Sequence, residues 1–171
     1  MKLCERCMIL EGPFAQQVNL LWRRQAAEWD KLKKGLANLR KSLTREFEVG
    51  DLRVTAQCNV ARARSASAKV DADSLAERPC FLCQKNLPDE QLAILYRGDW
   101  VVLCNPAPIF EPHLTVVRTV HEPQRISTSL ETLLRLARDF EGRFTVFYNG
   151  PSCGASAPDH LHLQACPAGA T

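Results

Sequence analysis

The chain has 171 residues, 46% apolar and 24% charged, with a net charge of +3; that suits one domain burying roughly 70% of its unfolded surface, and so weak a basic bias gives no reason to expect nucleic acid as a partner. No apolar run approaches the ~20 residues of a membrane helix, and Met1-Lys2-Leu3-Cys4-Glu5-Arg6-Cys7 carries charges where a secretion signal would be apolar. The eight cysteines are therefore expected as reduced thiols or metal ligands of a cytoplasmic protein without a membrane partner.

Residues 14–43 read as one long amphipathic helix starting after Pro13. Val18, Trp22, Trp29, Leu32, Leu36, Leu39 and Leu43 form a heptad-like stripe with Gln25 as its polar break. Gly35 weakens this helix by roughly 1 kcal/mol. The opposite face carries Arg23, Arg24, Lys31, Lys33, Lys34, Arg40, Lys41 and Arg45 and reads as solvated. The stripe packs either on the same domain or on a second copy of the chain, so a homodimer is one expectation. Residues 47–59 predict a hairpin around Gly50-Asp51, and residues 62–77, rich in Ala and Ser, a loop. Residues 1–46 are thus set apart as a helical extension, and 47–171 as the domain that carries the chemistry.

From Arg78 the texture changes. Pro79-Cys80-Phe81-Leu82-Cys83 is a tight knuckle. Residues 92–96 and 100–103 predict short strands joined at Arg97-Gly98-Asp99, and Asn105-Pro106-Ala107-Pro108 forbids helix. Residues 113–120 read as a β-branched strand. Residues 127–141 read as a helix with Leu130, Leu133, Leu134, Ala137 and Phe140 inward. Residues 144–148 predict another strand, followed by a Gly-rich loop and a last strand, His160-Leu161-His162-Leu163-Gln164. The order favours an α+β fold with a mostly antiparallel sheet.

Alternation along that last strand puts His160, His162 and Gln164 on one face, and Leu161, Leu163 and Ala165 on the other. Cys80-x-x-Cys83 is half of a zinc site, because thiolates at that spacing reach one ion. The histidines available to complete it are His113, His121, His160 and His162. A set of Cys80, Cys83, His121 and His160 would be a closed, structural zinc site and would leave His162 free. Cys4-x-x-Cys7 repeats the spacing at a terminus expected to fray. His162 is then the candidate nucleophile, since a neutral imidazole held in one tautomer attacks phosphorus well. Gln164 could bond a phosphate oxygen. Gly154, Ala155 and Ser156 offer backbone N–H groups and a hydroxyl to developing negative charge. Asn105 and Asn149 are further polar candidates for phosphate or ribose, and His113 is expected to be structural.

Gly154-Ala155-Ser156-Ala157-Pro158-Asp159-His160-Leu161-His162-Leu163-Gln164 resembles the Gly-x-Ser-…-His-x-His-x-Gln signature of the histidine-triad-like nucleotidyltransferases and phosphorylases. That group includes galactose-1-phosphate uridylyltransferase, diadenosine tetraphosphate phosphorylase and GDP-galactose phosphorylase. Asn105-Pro106-Ala107-Pro108-Ile109-Phe110-Glu111-Pro112-His113-Leu114-Thr115 is similar to the group's strand entry. The resemblance covers about half the chain, from Arg78 to Ala165. It implies a histidine-triad-like α+β fold with one packing helix, His162 as nucleophile, and structural zinc on Cys80, Cys83, His121 and His160. One extra residue separates Ser156 from His160 relative to the uridylyltransferase pattern. Members of the group usually continue into a second, similar half, so the chain is expected to be an N-terminal half or fragment, a truncated gene product, or a minimal one-domain form.

The implied activity transfers a nucleoside monophosphate from a nucleotide sugar or dinucleoside polyphosphate, through a nucleotidyl-histidine, to phosphate or a sugar phosphate. The alternatives are a histidine-triad hydrolase that passes the nucleotide to water, and a zinc-stabilised nucleotide-binding module without turnover. Those hydrolases commonly carry a third histidine where Gln164 stands, which favours transfer.

Overall fold

The computed structural model describes residues 7–62 and 71–170. Helix α1 (Phe14–Glu28) and helix α2 (Asp30–Arg40) replace the single expected helix. They are divided at Trp29, whose ψ of 106° is extended. One straight helix over the predicted span would be roughly 45 Å long, longer than a small domain. The break lets both segments bury their stripe: Val18 and Leu21 from α1, and Trp29, Leu32 and Leu36 beyond it, enter the same core as the sheet. Most of the stripe that admitted a second copy is covered within the chain itself, with Trp22 and Leu39 left half-buried. Gln25, its polar break, is buried. Its amide donates to the Glu90 carbonyl (2.9 Å) and accepts from the Leu92 N–H (3.1 Å), so it holds the entry to the sheet.

Strands β1 (Leu43–Val49) and β2 (Leu52–Cys58) form the expected hairpin, which starts four residues earlier than the composition suggested. Leu43, assigned to the helical stripe, instead pairs with Cys58 and is exposed. Gly50 turns the chain with a φ of 60°, a left-handed value that favours glycine in a two-residue turn. Part of the predicted 62–77 loop, and Cys4 of the Cys4-x-x-Cys7 pair, lie outside the described residues. The end of that stretch is a short helix, α3 (Ala72–Glu77), capped by the Asp71 carboxylate on the Ser74 N–H (2.9 Å).

The remaining strands are β3 (Ala93–Tyr96), β4 (Trp100–Cys104), β5 (Leu114–Arg118), β6 (Phe144–Phe147) and β7 (His162–Pro167). They form one antiparallel sheet in the order β3-β4-β5-β7-β6. The fold is α+β, as read from the order of elements. Helix α4 (Leu130–Asp139) packs beside β6 with Leu133, Leu136 and Phe140 inward, whereas Leu130, Leu134 and Ala137 are exposed. Four leucines within seven positions offer two stripes of helical spacing, and the sheet selects the second. The Phe140 ring lies tilted at 4.7 Å from Phe144 and 5.2 Å from Phe14, and Phe14 at 4.8 Å from Tyr96. These rings tie α4, α1, β3 and β6 into one core.

The sheet's two faces have different jobs. Ile94, Val102, Val116, Leu163 and Ala165 meet the helices on one side. On the other, Ala93, Val101, Leu103 and Val117 carry the knuckle residues Cys80 and Leu82 together with Leu87 and Ala157. His162 and Gln164 alternate with Leu163 and Ala165 on β7, and so belong to this second side. Among the described residues, no helix is long and apolar enough to cross a membrane.

Candidate active site

A turn shapes the knuckle. The Cys83 N–H donates to the Cys80 carbonyl (3.2 Å), and the Asn86 amide caps that same carbonyl (2.8 Å). Both thiols thereby face the ends of β5 and β7. Cys80 Sγ lies 3.2 Å from His160 Nδ1, and Cys83 Sγ lies 3.2 Å from His121 Nδ1. All four ligand atoms fall within 4.8 Å of one another, forming a cluster that can hold a metal ion. A tetrahedral zinc with Zn–S ~2.3 Å and Zn–N ~2.0 Å has ligand-to-ligand edges of about 3.3–3.8 Å, near the 3.2–3.6 Å that separate the thiols from the ring nitrogens of His121 and His160. The outer ring nitrogens are also provided for. His160 Nε2–H donates to the Arg118 carbonyl (2.8 Å), and His121 Nε2 lies 3.7 Å from the Asp159 carboxylate. Such partners orient imidazole ligands toward a metal. Burial, with Cys80 beside it, pushes the Cys83 thiol up to about 11. A bound cation would oppose that rise by favouring the thiolate.

His160 sits in the turn just before β7 rather than within it. Its neighbours fulfil the expected alternation: Leu161, Leu163 and Ala165 are fully buried. His162, the first residue of β7, is held on both its ring and its backbone. Nδ1 faces the His160 carbonyl at 2.8 Å. A carbonyl only accepts, so Nδ1 carries the proton and Nε2 keeps its lone pair. Burial, the largest influence on the imidazole, lowers its pKa and favours the neutral ring. The backbone N–H and C=O of His162 are both bound by the carboxamide of Gln124, at 2.7 and 2.9 Å. Gln124 Nε2 also donates to the Asn149 carbonyl (2.9 Å).

His162 and Gln164 open onto a cavity of about 790 Å³. Asn105, Asn149, Gly154, Ala155 and Ser156 line the same cavity, so it brings together every residue assigned to the reaction or the substrate. Gln164 Oε1 accepts from His113 Nε2 (2.8 Å), while His113 Nδ1 accepts the Ile109 N–H (3.3 Å). That relay fixes the amide of Gln164 with its NH2 group as the donor left over. Asn105 Oδ1 accepts the Ala107 N–H (2.9 Å) in an Asx turn, which likewise leaves its NH2 group. Gly154 has a φ of 88°, a left-handed value that turns the loop toward the cavity. Arg78 secures the far side of that loop through the Ser156 carbonyl (3.0 Å) and Asp159 (3.3 Å).

Sequence reasoning missed Gln124, which holds the His162 backbone, and Gln91, Thr115 and Lys31, which line the cavity. Gln124 and Gln91 carry no motif or periodic signal. Thr115 was legible only as the cross-strand partner of Gln164. Lys31 lines the cavity from α2 and was assigned instead to a solvated face.

The antiparallel sheet, the knuckle and the histidine strand at the cavity define a histidine-triad-like fold, as the motifs implied. The chain belongs to the family described as a domain of unknown function, DUF4922, which matches residues 21–167. No curated protein sequence matches it. Among solved structures it is similar to yeast Ap4A phosphorylase Apa2 in complex with AMP, at 19% identity and a TM-score of 0.56, over 92% of this chain and 49% of that chain. It is also similar to Apa2 in complex with Ap4A, at 18% identity and a TM-score of 0.57, over 92% of this chain and 52% of that chain. The chain thus spans about half the length of Apa2. At such identities the likeness is one of fold.

Proposed function

We propose that the protein is a nucleotidyltransferase or phosphorylase that acts through His162 on a dinucleoside polyphosphate or nucleotide sugar. The observation that carries this reading is the tautomer of His162: Nδ1–H donates to the His160 carbonyl, which leaves the lone pair on Nε2, and the cavity that His162 lines is neutral apart from Lys31. In the first step Nε2 attacks the phosphorus next to the nucleoside. A P–N bond forms, and the P–O bond to the remaining phosphate or sugar phosphate breaks, its electron pair leaving on oxygen. In the second step an oxygen of the acceptor phosphate or sugar phosphate attacks, the P–N bond breaks, and the pair returns to Nε2. The Gln164 NH2 group, the Ser156 hydroxyl and the N–H groups of Gly154 and Ala155 stabilise the phosphoryl oxygens. Asn105 and Asn149 bind phosphate or ribose.

In this reading residues 47–171 carry the chemistry, backed by the extension 1–46. Zinc on Cys80, Cys83, His121 and His160 supplies rigidity, anchoring the turn from which His162 enters the sheet. The fold shared with a phosphorylase captured with Ap4A and with AMP supports the nucleotide as substrate, and Gln164 in the place of a third histidine supports transfer over hydrolysis. Product analysis after incubation with Ap4A tests the reading. Transfer requires phosphate and releases ADP and ATP. AMP and ATP formed equally well without phosphate would establish a hydrolase, and nucleotide binding without any product would establish a binding module.

A further inference from the structure

Among the described residues that line the cavity, Lys31 is the one charged side chain. A second, smaller cavity of about 170 Å³ adjoins the first, sharing Lys31, Asn59, Pro106 and Ala107 with it and adding Lys34 and Asn38. No carboxylate lines either space among the described residues. The two lysines stand three residues apart on α2, a spacing that places side chains on one face. Their neighbour Lys33 pairs with Asp30 (2.9 Å), and Arg40 with Glu111 (2.8 Å). Neither Lys31 nor Lys34 has an ion pair within 4 Å among the described residues, although Asp30, outside both cavities, acts electrostatically on Lys34.

The helix that carries them is fixed against the cavity wall. Leu32 and Leu36 are buried in the core on its inner side. At Gly35 a Cβ would stand 2.2 Å from the Pro106 carbonyl oxygen. The glycine, which costs a helix roughly 1 kcal/mol, is what allows α2 to lie against the 105–108 loop.

We propose that Lys31, Lys34 and Asn38 form a subsite for the phosphate groups beyond the one that reacts. The ligand is a polyphosphate chain, so the leaving or attacking partner in the reaction bears more than one phosphate. Two ammonium groups on a cavity wall that carries no carboxylate match phosphate oxygens, whereas sugar hydroxyls also need acceptors. The inference rests on the nucleotidyl-transfer reading for the identity of the reacting phosphate, but the anion subsite can be tested apart from it.

Isothermal titration of the whole chain with inorganic tripolyphosphate, and separately with AMP, makes that distinction. The wild-type protein should bind tripolyphosphate, and Lys31→Gln with Lys34→Gln should weaken it by about tenfold, or ~1.4 kcal/mol. Lys33→Gln should leave it unchanged. Failure of the wild type to bind tripolyphosphate, or full affinity in the double variant, overturns the subsite whatever AMP does. Loss of AMP binding alone, with tripolyphosphate still dependent on the two lysines, upholds the subsite and sinks the nucleotide reading. Amine acetylation of the wild-type protein gives a second readout. Tripolyphosphate should protect Lys31 and Lys34 but not Lys33, and equal labelling of all three contradicts the proposal.

Discussion

The backbone of His162 needs partners on the side where β6 has already turned away, and the carboxamide of Gln124 provides them. Strand β6 pairs with β7 only as far as Phe147 opposite Gln164. Two residues further along β7, the Gln124 amide accepts the His162 N–H, donates to its C=O, and reaches the Asn149 carbonyl on the departing strand. A side chain thus completes the ladder where the chain must leave to build the Gly154 loop. Gln124→Leu should leave two buried backbone groups unpaired, at a cost of about 1–3 kcal/mol. It should also slow nucleotidyl labelling by about tenfold or more, because small misplacements of a reacting atom are costly. Gln124→Glu keeps the acceptor for the His162 N–H and should lose less rate than Gln124→Leu. A wild-type labelling rate in Gln124→Leu would remove Gln124 from the positioning of His162. The histidines were legible because their spacing is itself chemical information. Gln124 was not, because an amide that bonds a backbone 38 residues away leaves no pattern in the chain.

Three segments meet at the cysteine–histidine cluster: the knuckle, the chain just beyond β5, and the turn into β7. Purified protein should carry one equivalent of zinc by elemental analysis. Cys80→Ser should lose it and lower the thermal midpoint, because a structural metal contributes folding energy directly. Metal retained at one equivalent in Cys80→Ser would refute the zinc assignment. The elements themselves were legible to different degrees. Strands β3, β4 and β6 followed from β-branched and aromatic runs between turn residues. The inward face of α4 did not, because its leucines satisfy two helical stripes and only the aromatic contacts of Phe140 decide between them. The break at Trp29 was likewise hidden: Trp29 keeps its place in the apolar stripe while its backbone leaves the helix.

Across the whole molecule, the sheet separates the larger hydrophobic core from the candidate site. Helices α1, α2 and α4 supply the core on one face, and the knuckle, the Gly154 loop and His162 occupy the other. Helix α2 serves both, since Leu32 and Leu36 enter the core while Lys31 reaches the cavity. The division follows from β7, whose alternation sends Leu163 and Ala165 to the core and His162 and Gln164 to the site. The central claim is that His162 becomes covalently nucleotidylated. Its most direct measurement is incubation with adenylate-labelled Ap4A, followed by acid treatment and peptide mapping. The account predicts an acid-labile adenylate on His162 in the wild-type protein and none in His162→Ala. Full labelling of His162→Ala, or a label mapped to another residue, would contradict it.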